Sequence, residues 1–106
     1  MQTILTDANF QKEVLESPVP VLVEFGADWC GACHMLAPIL ERLHEEFDGQ
    51  IKIARLDVDA SARLVTGYGV QEIPTLALFK HGEIFDEIIG VVPGQVIADK
   101  LRALLR

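Results

Sequence analysis

Cys30 and Cys33 are the only cysteines in the chain, and they stand in a single Cys-Gly-Ala-Cys run. Nothing else in the sequence can pair with either of them. If the run opens a helix, both sulfurs come within reach of one bond. The unpaired backbone N–H groups and the positive end of the helix dipole at that point favour a thiolate. The chemistry this arrangement suits is dithiol–disulfide exchange. Two other chemistries compete for the same residues. A structural zinc wants four ligands, and the cysteines could recruit His34, His44 or His81. However, no second Cys-x-x-Cys and no His-x-x-x-His accompanies them. Cys30 to His34 also matches the Cys-x-x-Cys-His pattern of haem attachment. A haem would further need a pocket and a second axial ligand.

The elements around the motif are legible from periodicity. Val19-Pro20-Val21-Leu22-Val23-Glu24-Phe25 is an almost continuous apolar run, as expected of a strand buried on both faces. Glu24 is the anomaly in it, and its apolar neighbours predict that its carboxyl is buried. Gly26 to Cys33 reads as a turn feeding a helix, whose inward face is Leu36, Ile39, Leu40, Leu43 and Phe47. Pro38 inside that helix removes one hydrogen bond and should kink it. Asp48-Gly49 closes it.

Upstream, Thr3-Ile4-Leu5 is a short strand. Thr6 or Asp7 caps a helix carrying Phe10, Val14 and Leu15, which Ser17-Pro18 ends. Downstream, Ile51–Val58 is a third strand, and Ser61 caps a short helix through Leu64 and Val65 that Gly67 and Gly69 end. Leu76–Phe79 and Ile84–Ile89 form a hairpin over the Lys80-His81-Gly82-Glu83 turn. Gln95–Leu105 is a last amphipathic helix with Val96, Ile97, Leu101 and Leu104 or Leu105 inward. The order βαβαβαββα predicts an α/β fold in which a mixed sheet carries helices on both faces.

Composition narrows the function classes. At 106 residues the chain is the length of one domain. Half of it is hydrophobic and 24% charged, a globular balance that excludes disorder. Asp and Glu number 16 against 9 Lys and Arg, for a net charge of −7, and no basic cluster exists. No nucleic-acid partner and no anionic membrane surface is expected of such a chain. The five Phe residues sit at hydrophobic positions and read as core. No segment approaches the roughly 20 apolar residues of a membrane span. Met1–Asp7 lacks the basic and apolar regions of a secretory signal, so a soluble, cytoplasmic chain is expected unless it is a mature form whose signal has been removed, and nothing in the sequence suggests more than a monomer.

Residues 22–40, Leu-Val-Glu-Phe-Gly-Ala-Asp-Trp-Cys-Gly-Ala-Cys-His-Met-Leu-Ala-Pro-Ile-Leu, closely resemble the active-site strand and helix of thioredoxins. Arg55-Leu-Asp-Val-Asp59, Tyr68-Gly-Val, Ile73-Pro74-Thr75 and Leu78-Phe79-Lys80-His-Gly82 extend the resemblance in order along the chain. It implies a thioredoxin fold over 1–106, a central sheet of about five strands with four helices, and protein disulfide reductase activity without a cofactor or metal. It also implies disulfide-containing protein substrates and an electron donor such as thioredoxin reductase or a ferredoxin-linked counterpart.

By the same resemblance, Cys30 is the nucleophile, Cys33 the resolving thiol, and Glu24 the buried carboxylate behind it, with Arg55 as the basic residue nearby. Trp29, Gly31, Ala32, Ile73, Pro74 (as a cis-proline), Gly90, Val91 and Val92 would form or flank the substrate groove.

Four positions depart from the usual pattern: Glu24 for Asp, Gly26 for an aromatic, Ala32 for Pro and His34 for Lys. Alanine at 32 restores a backbone N–H that is expected to point at the Cys30 thiolate. It also keeps one alternative in view, a thiol oxidase or isomerase on the same fold; a docking subunit that uses the groove alone is a second, and the joint presence of both cysteines, Trp29 and Ile73-Pro74 favours activity over docking. The bland expectations are that His34 faces solvent, that His44 and His81 are solvated, and that Tyr68 packs at a helix end.

Overall fold

A computed structural model describes residues 2–106. Five strands, β1 (Thr3–Leu5), β2 (Val21–Gly26), β3 (Lys52–Asp57), β4 (Thr75–Lys80) and β5 (Glu83–Ile89), form one sheet in the order β1-β3-β2-β4-β5. β1 and β2 both run parallel to β3, while β4 is antiparallel to β2 and β5 to β4. Parallel neighbours need a crossover, and the long helix α1 (Gly31–Glu46) supplies the one from β2 to β3. Helices α2 (Ala62–Gly67) and α3 (Gly94–Leu104) follow, and a five-residue π-helical segment, Gln11–Leu15, lies between β1 and β2.

Strand alternation divides β2 between two cores. Leu22 joins Leu36, Leu40 and Leu43 of α1 and Ile97, Leu101 and Leu104 of α3 on one face of the sheet. Val21, Val23 and Phe25 join Phe10 and Val14 on the other, with Leu64, Val65 and Tyr68 packed against them. Each fully buried Leu or Phe contributes about 1.5–3 kcal/mol relative to exposure. Pinning both faces of β2 therefore fixes the strand that leads directly into the cysteines. This is the expected thioredoxin arrangement of a mixed sheet with helices on both sides.

Several local expectations change. The segment after β1 is held by a reciprocal pair, Thr6 N–H to Asn9 Oδ1 and Asn9 N–H to Thr6 Oγ1. Thr6 is thus the capping residue rather than Asp7. Its continuation is π-type, with Glu16 N–H donating to Gln11 C=O five residues back. Ser61 precedes α2 but is buried and makes no side-chain cap, and its carbonyl accepts from Leu64 and Val65 N–H as the carbonyl at any N-cap does. α1 runs without interruption through Pro38, whose ring lies on the exposed side.

In α3 the inward residues are Ile97, Ala98, Leu101 and Leu104, while Val96 and Leu105 are exposed. Phe85 is not core: it is 64% exposed, with Lys80 Nζ 5.6 Å above its ring. Tyr68 does pack at the end of α2, edge-on to Phe79 and tilted against Phe10 and Phe25. His44 is half-buried rather than fully solvated. Among the described residues no helix is long and apolar enough to cross a membrane.

Candidate active site

The buried strand β2 ends at Gly26, and a short turn brings the chain to Cys30, the N-cap of α1. Cys30 is extended, with φ −88° and ψ 111°, and Cys33 N–H donates to its Sγ at 3.2 Å. The sulfur thus takes the place that a Ser or Asp oxygen takes in an ordinary N-cap, satisfying a donor that the helix leaves unpaired. This also corrects the expectation for Ala32: the N–H that reaches Cys30 is the one from Cys33. The cysteines are free thiols, and both are almost wholly buried, Cys33 the deeper. They pack with Ala27, Ala32, Val58 and Ile73. Burial pushes the Cys33 thiol up to about 11, and the neighbouring Cys30 adds to the effect.

Glu24 lies in β2 on the face that α1 covers, and it is 1% exposed. Register places it opposite Arg55 of β3, whose Nε lies 3.2 Å from Oε1. The other carboxylate oxygen, Oε2, has no hydrogen-bond partner among the described residues. Burial pushes this carboxyl above the ordinary carboxylate value, and the Arg55 guanidinium pulls it only partly back. Glu24 is thereby brought to the Cys33 side of the sheet.

Of the remaining expected groove residues, Ile73 packs against the cysteines, and Pro74 and Gly90 adjoin it. The Ile73–Pro74 peptide is cis. Pro74 is buried, and Ile73 is half-buried against the thiols. Gly90, at φ 86°, donates its N–H to Pro74 C=O at 2.9 Å, so the chain after β5 is tied to the cis-proline. Val91 follows it, exposed, while Val92 turns in against the main core. Gly31 is exposed and Ala32 half-buried in the first turn of α1.

Trp29 is 70% exposed, and its Nε1–H donates to Asp59 Oδ2 at 2.6 Å. His34 is exposed, as expected, but its Nε2 is bonded to Asp28 C=O. These two bonds hold both sides of the Asp28-Trp29-Cys30 turn. Neither Asp59 nor the backbone role of Asp28 was visible as a site in the sequence. Asp59 lay inside a resembling segment, but nothing pointed from it to Trp29, thirty residues away. Met35, exposed near the start of α1, was likewise not singled out. Among the described residues no group of three or more His, Cys, Asp or Glu side chains is placed to hold a metal ion.

A dithiol whose outer sulfur caps a helix, backed by a buried carboxylate, defines a thiol–disulfide oxidoreductase. The family model described as Thioredoxin matches residues 1–103. The chain is 41% identical to thioredoxin 1 of Synechococcus elongatus over 97 residues, covering 92% of this chain and 91% of that one. It is 43% identical to the thioredoxin of Chlorobaculum thiosulfatiphilum, covering 91% and 89%. With the thioredoxin of Rickettsia felis the identity is 45%, covering 86% and 87%. The chain belongs to the thioredoxin family, and its activity is protein disulfide reduction by dithiol–disulfide exchange.

Proposed function

We propose that Cys30 is the attacking thiol, Cys33 the resolving thiol and Glu24 the group that accepts the Cys33 proton. The observation that carries this assignment is the asymmetry of the two sulfurs: Cys30 Sγ sits at the N-terminus of α1 on a backbone donor, whereas Cys33 is deeper and its thiol is raised to about 11. Cys30 thiolate attacks one sulfur of a target disulfide and forms a mixed disulfide, and the other target sulfur leaves as thiolate. Cys33 loses its proton and attacks Cys30 Sγ. The mixed disulfide breaks, the second target thiolate leaves, and a Cys30–Cys33 disulfide remains. The target gains two electrons and the protein loses two. The family implies that a reductase donor returns them.

In this reading Trp29, Gly31, Ala32, Ile73, Pro74, Gly90 and Val91 border the groove in which an extended segment of the target lies. The exposed Trp29 next to Cys30, and the exposed Val91 next to the Gly90 that bonds to Pro74, support that role. The chemistry needs no cofactor or metal. The chain works as one domain and as a monomer, in the cytoplasm, where a reducing environment keeps both cysteines as thiols. Its donor is a flavoprotein thioredoxin reductase or a ferredoxin-linked counterpart.

The test is insulin disulfide reduction with dithiothreitol as electron source. Cys30→Ser should abolish the catalysed rate, and Cys33→Ser should accumulate a mixed disulfide with the target. Full activity in Cys30→Ser would remove the assignment. Ala32, standing where proline is usual, favours one rival, an oxidase or isomerase. Equilibration against glutathione and dithiothreitol buffers separates it from a reductase, which has the more negative potential.

A further inference from the structure

His34 stands near the start of α1, and its backbone N–H donates to the carbonyl of the N-cap, Cys30, at 3.2 Å. Helical side chains lean toward the N-terminus, so its imidazole reaches back over the cap. There Nε2 is bonded to the carbonyl of Asp28, six residues upstream. A carbonyl oxygen has no proton to give, so Nε2–H is the donor, in the neutral ring and in the imidazolium alike. Among the described residues no other donor reaches that carbonyl. Trp29 and Cys30 follow Asp28 directly, so the bond ties the turn that carries the outer sulfur to the body of the helix. Cys30 N–H to Ala27 C=O at 3.2 Å and Trp29 Nε1–H to Asp59 Oδ2 at 2.6 Å also hold this turn. Cys33 is placed differently: it lies within α1, 2% exposed, and is carried by the helix itself. His34 is thus set to act on the placement of one thiol and not of the other.

We infer that His34 is a positioning residue of the attacking step: by tying Asp28 C=O to the start of α1, it holds the Asp28-Trp29-Cys30 turn in the shape that presents Cys30 Sγ to a target disulfide. The inference rests on the reading of Cys30 as the attacking thiol. In that step the Cys30 thiolate forms a bond to one target sulfur. The target S–S bond breaks, and its other sulfur leaves with the electron pair. The reacting orbitals must be aligned, so a small displacement of the attacking sulfur costs rate. Lysine, frequent at this position in thioredoxins, could donate to the same carbonyl. Its four-carbon stem would lose more rotamer freedom in doing so than an imidazole with two side-chain torsions. Histidine at 34 is therefore the stiffer tie.

The experiment mixes the reduced chain with a symmetric chromogenic nitrothiobenzoate disulfide in stopped flow. The first coloured thiolate reports attack by Cys30, and the second reports resolution by Cys33. His34→Ala removes the ring, and His34→Phe keeps a ring without a donor. His34→Gln places an amide N–H at a reach close to that of Nε2, with no ring and no charge. His34→Ala and His34→Phe should slow the first release roughly threefold to tenfold, the range that one hydrogen bond commands. The second release should stay unchanged in both, and His34→Gln should recover most of the lost rate. Trp29 is the only tryptophan of the chain, so its fluorescence anisotropy reads the turn directly. It should fall in His34→Ala and His34→Phe and return in His34→Gln. His34 is exposed, so these substitutions leave the core intact.

An unchanged first release in His34→Ala and His34→Phe overturns the proposal. Equal slowing of both releases overturns it as well, since a general loosening of the helix would produce that. So does a His34→Gln chain as slow as His34→Ala, because the charge of the ring rather than its bond would then be the cause. Should His34→Ala fail to fold, His34→Phe against His34→Gln decides alone. Cys30→Ser separates the two layers of the argument. If it keeps the first release, the reading of Cys30 falls and the role of His34 with it. If it abolishes that release while His34→Ala and His34→Phe leave it at the parent rate, the role of His34 alone falls.

Discussion

Cys30 and Cys33 are both nearly buried, yet Cys30 Sγ caps the start of α1 while Cys33 lies deeper with its thiol pushed up to about 11, so a single helical turn separates two unlike thiols. The carboxyl behind them has a measurable effect on stability. Burial raises Glu24 in the folded state. A raised group gives its full stabilising contribution below its unfolded value and loses it as pH rises through the folded one. Above its raised folded-state value the buried carboxylate is therefore ionised at a cost. Glu24→Gln should stabilise the fold there by on the order of 1 kcal/mol, since it removes a buried charge and keeps the shape. The gain should shrink as pH falls toward the ordinary carboxylate range. Arg55, 38% exposed, stays hydrated when its partner becomes neutral, so little is lost on that side. Thermal unfolding of both chains across pH measures this, and equal midpoints throughout would show that Glu24 is not penalised by its burial.

The first turn of α1 is the element on which the chemistry depends, and Ala32 is the second residue of that helix. Its N–H falls within the first turn, where helical partners are absent, so proline is tolerated there. Since Cys33 rather than Ala32 donates to Cys30, Ala32→Pro should leave that hydrogen bond in place and act by stiffening the turn. We expect Ala32→Pro to give a more negative redox potential, by on the order of 30 mV, equivalent to about 1.4 kcal/mol for this two-electron couple. It should also make the fold about 0.4–1 kcal/mol more stable through the unfolded chain's lost freedom. Redox equilibration and thermal unfolding of the same variant check the two parts, and an unchanged potential would remove Ala32 as a tuning position.

The elements that sequence reasoning resolves well are those with a strong period. α1 was legible from Leu36, Leu40 and Leu43, β2 from its unbroken apolar run, and the hairpin from His81-Gly82, both of which adopt positive φ in the two-residue turn between Lys80 and Glu83. Glu24 was legible as buried because its neighbours left it nowhere else to go. The parts that escaped depend on partners distant in sequence. Val96 matches the α3 stripe but is exposed, and Phe85 is the residue left unpaired where the β4–β5 register shifts, exposed under Lys80. The cis form at Pro74 came only from resemblance, since most X-Pro bonds in folded proteins are trans. The bond from Trp29 to Asp59 joins two loops that only the finished sheet brings together.

At the scale of the molecule, a net charge of −7 accompanies exposed apolar side chains at Trp29, Met35 and Val91. Association with a basic disulfide-containing protein should be steered by that field, and its rate of reduction should fall several-fold as salt shortens the Debye length from about 10 Å at 0.1 M toward about 3 Å at 1 M. An acidic substrate should show the opposite trend. Rates measured for both across a salt series check this, and salt-independent rates for the pair would show that charge does not steer association. The order β1-β3-β2-β4-β5 leaves two strands with an open side. β1 offers only three residues, and β5 carries Glu83, Asp86 and Glu87 along its length. A strand from another chain would find few backbone groups to pair with on the first and a run of carboxylates on the second. A molecule whose substrates are other polypeptides is thus poorly templated for growing its sheet into aggregates.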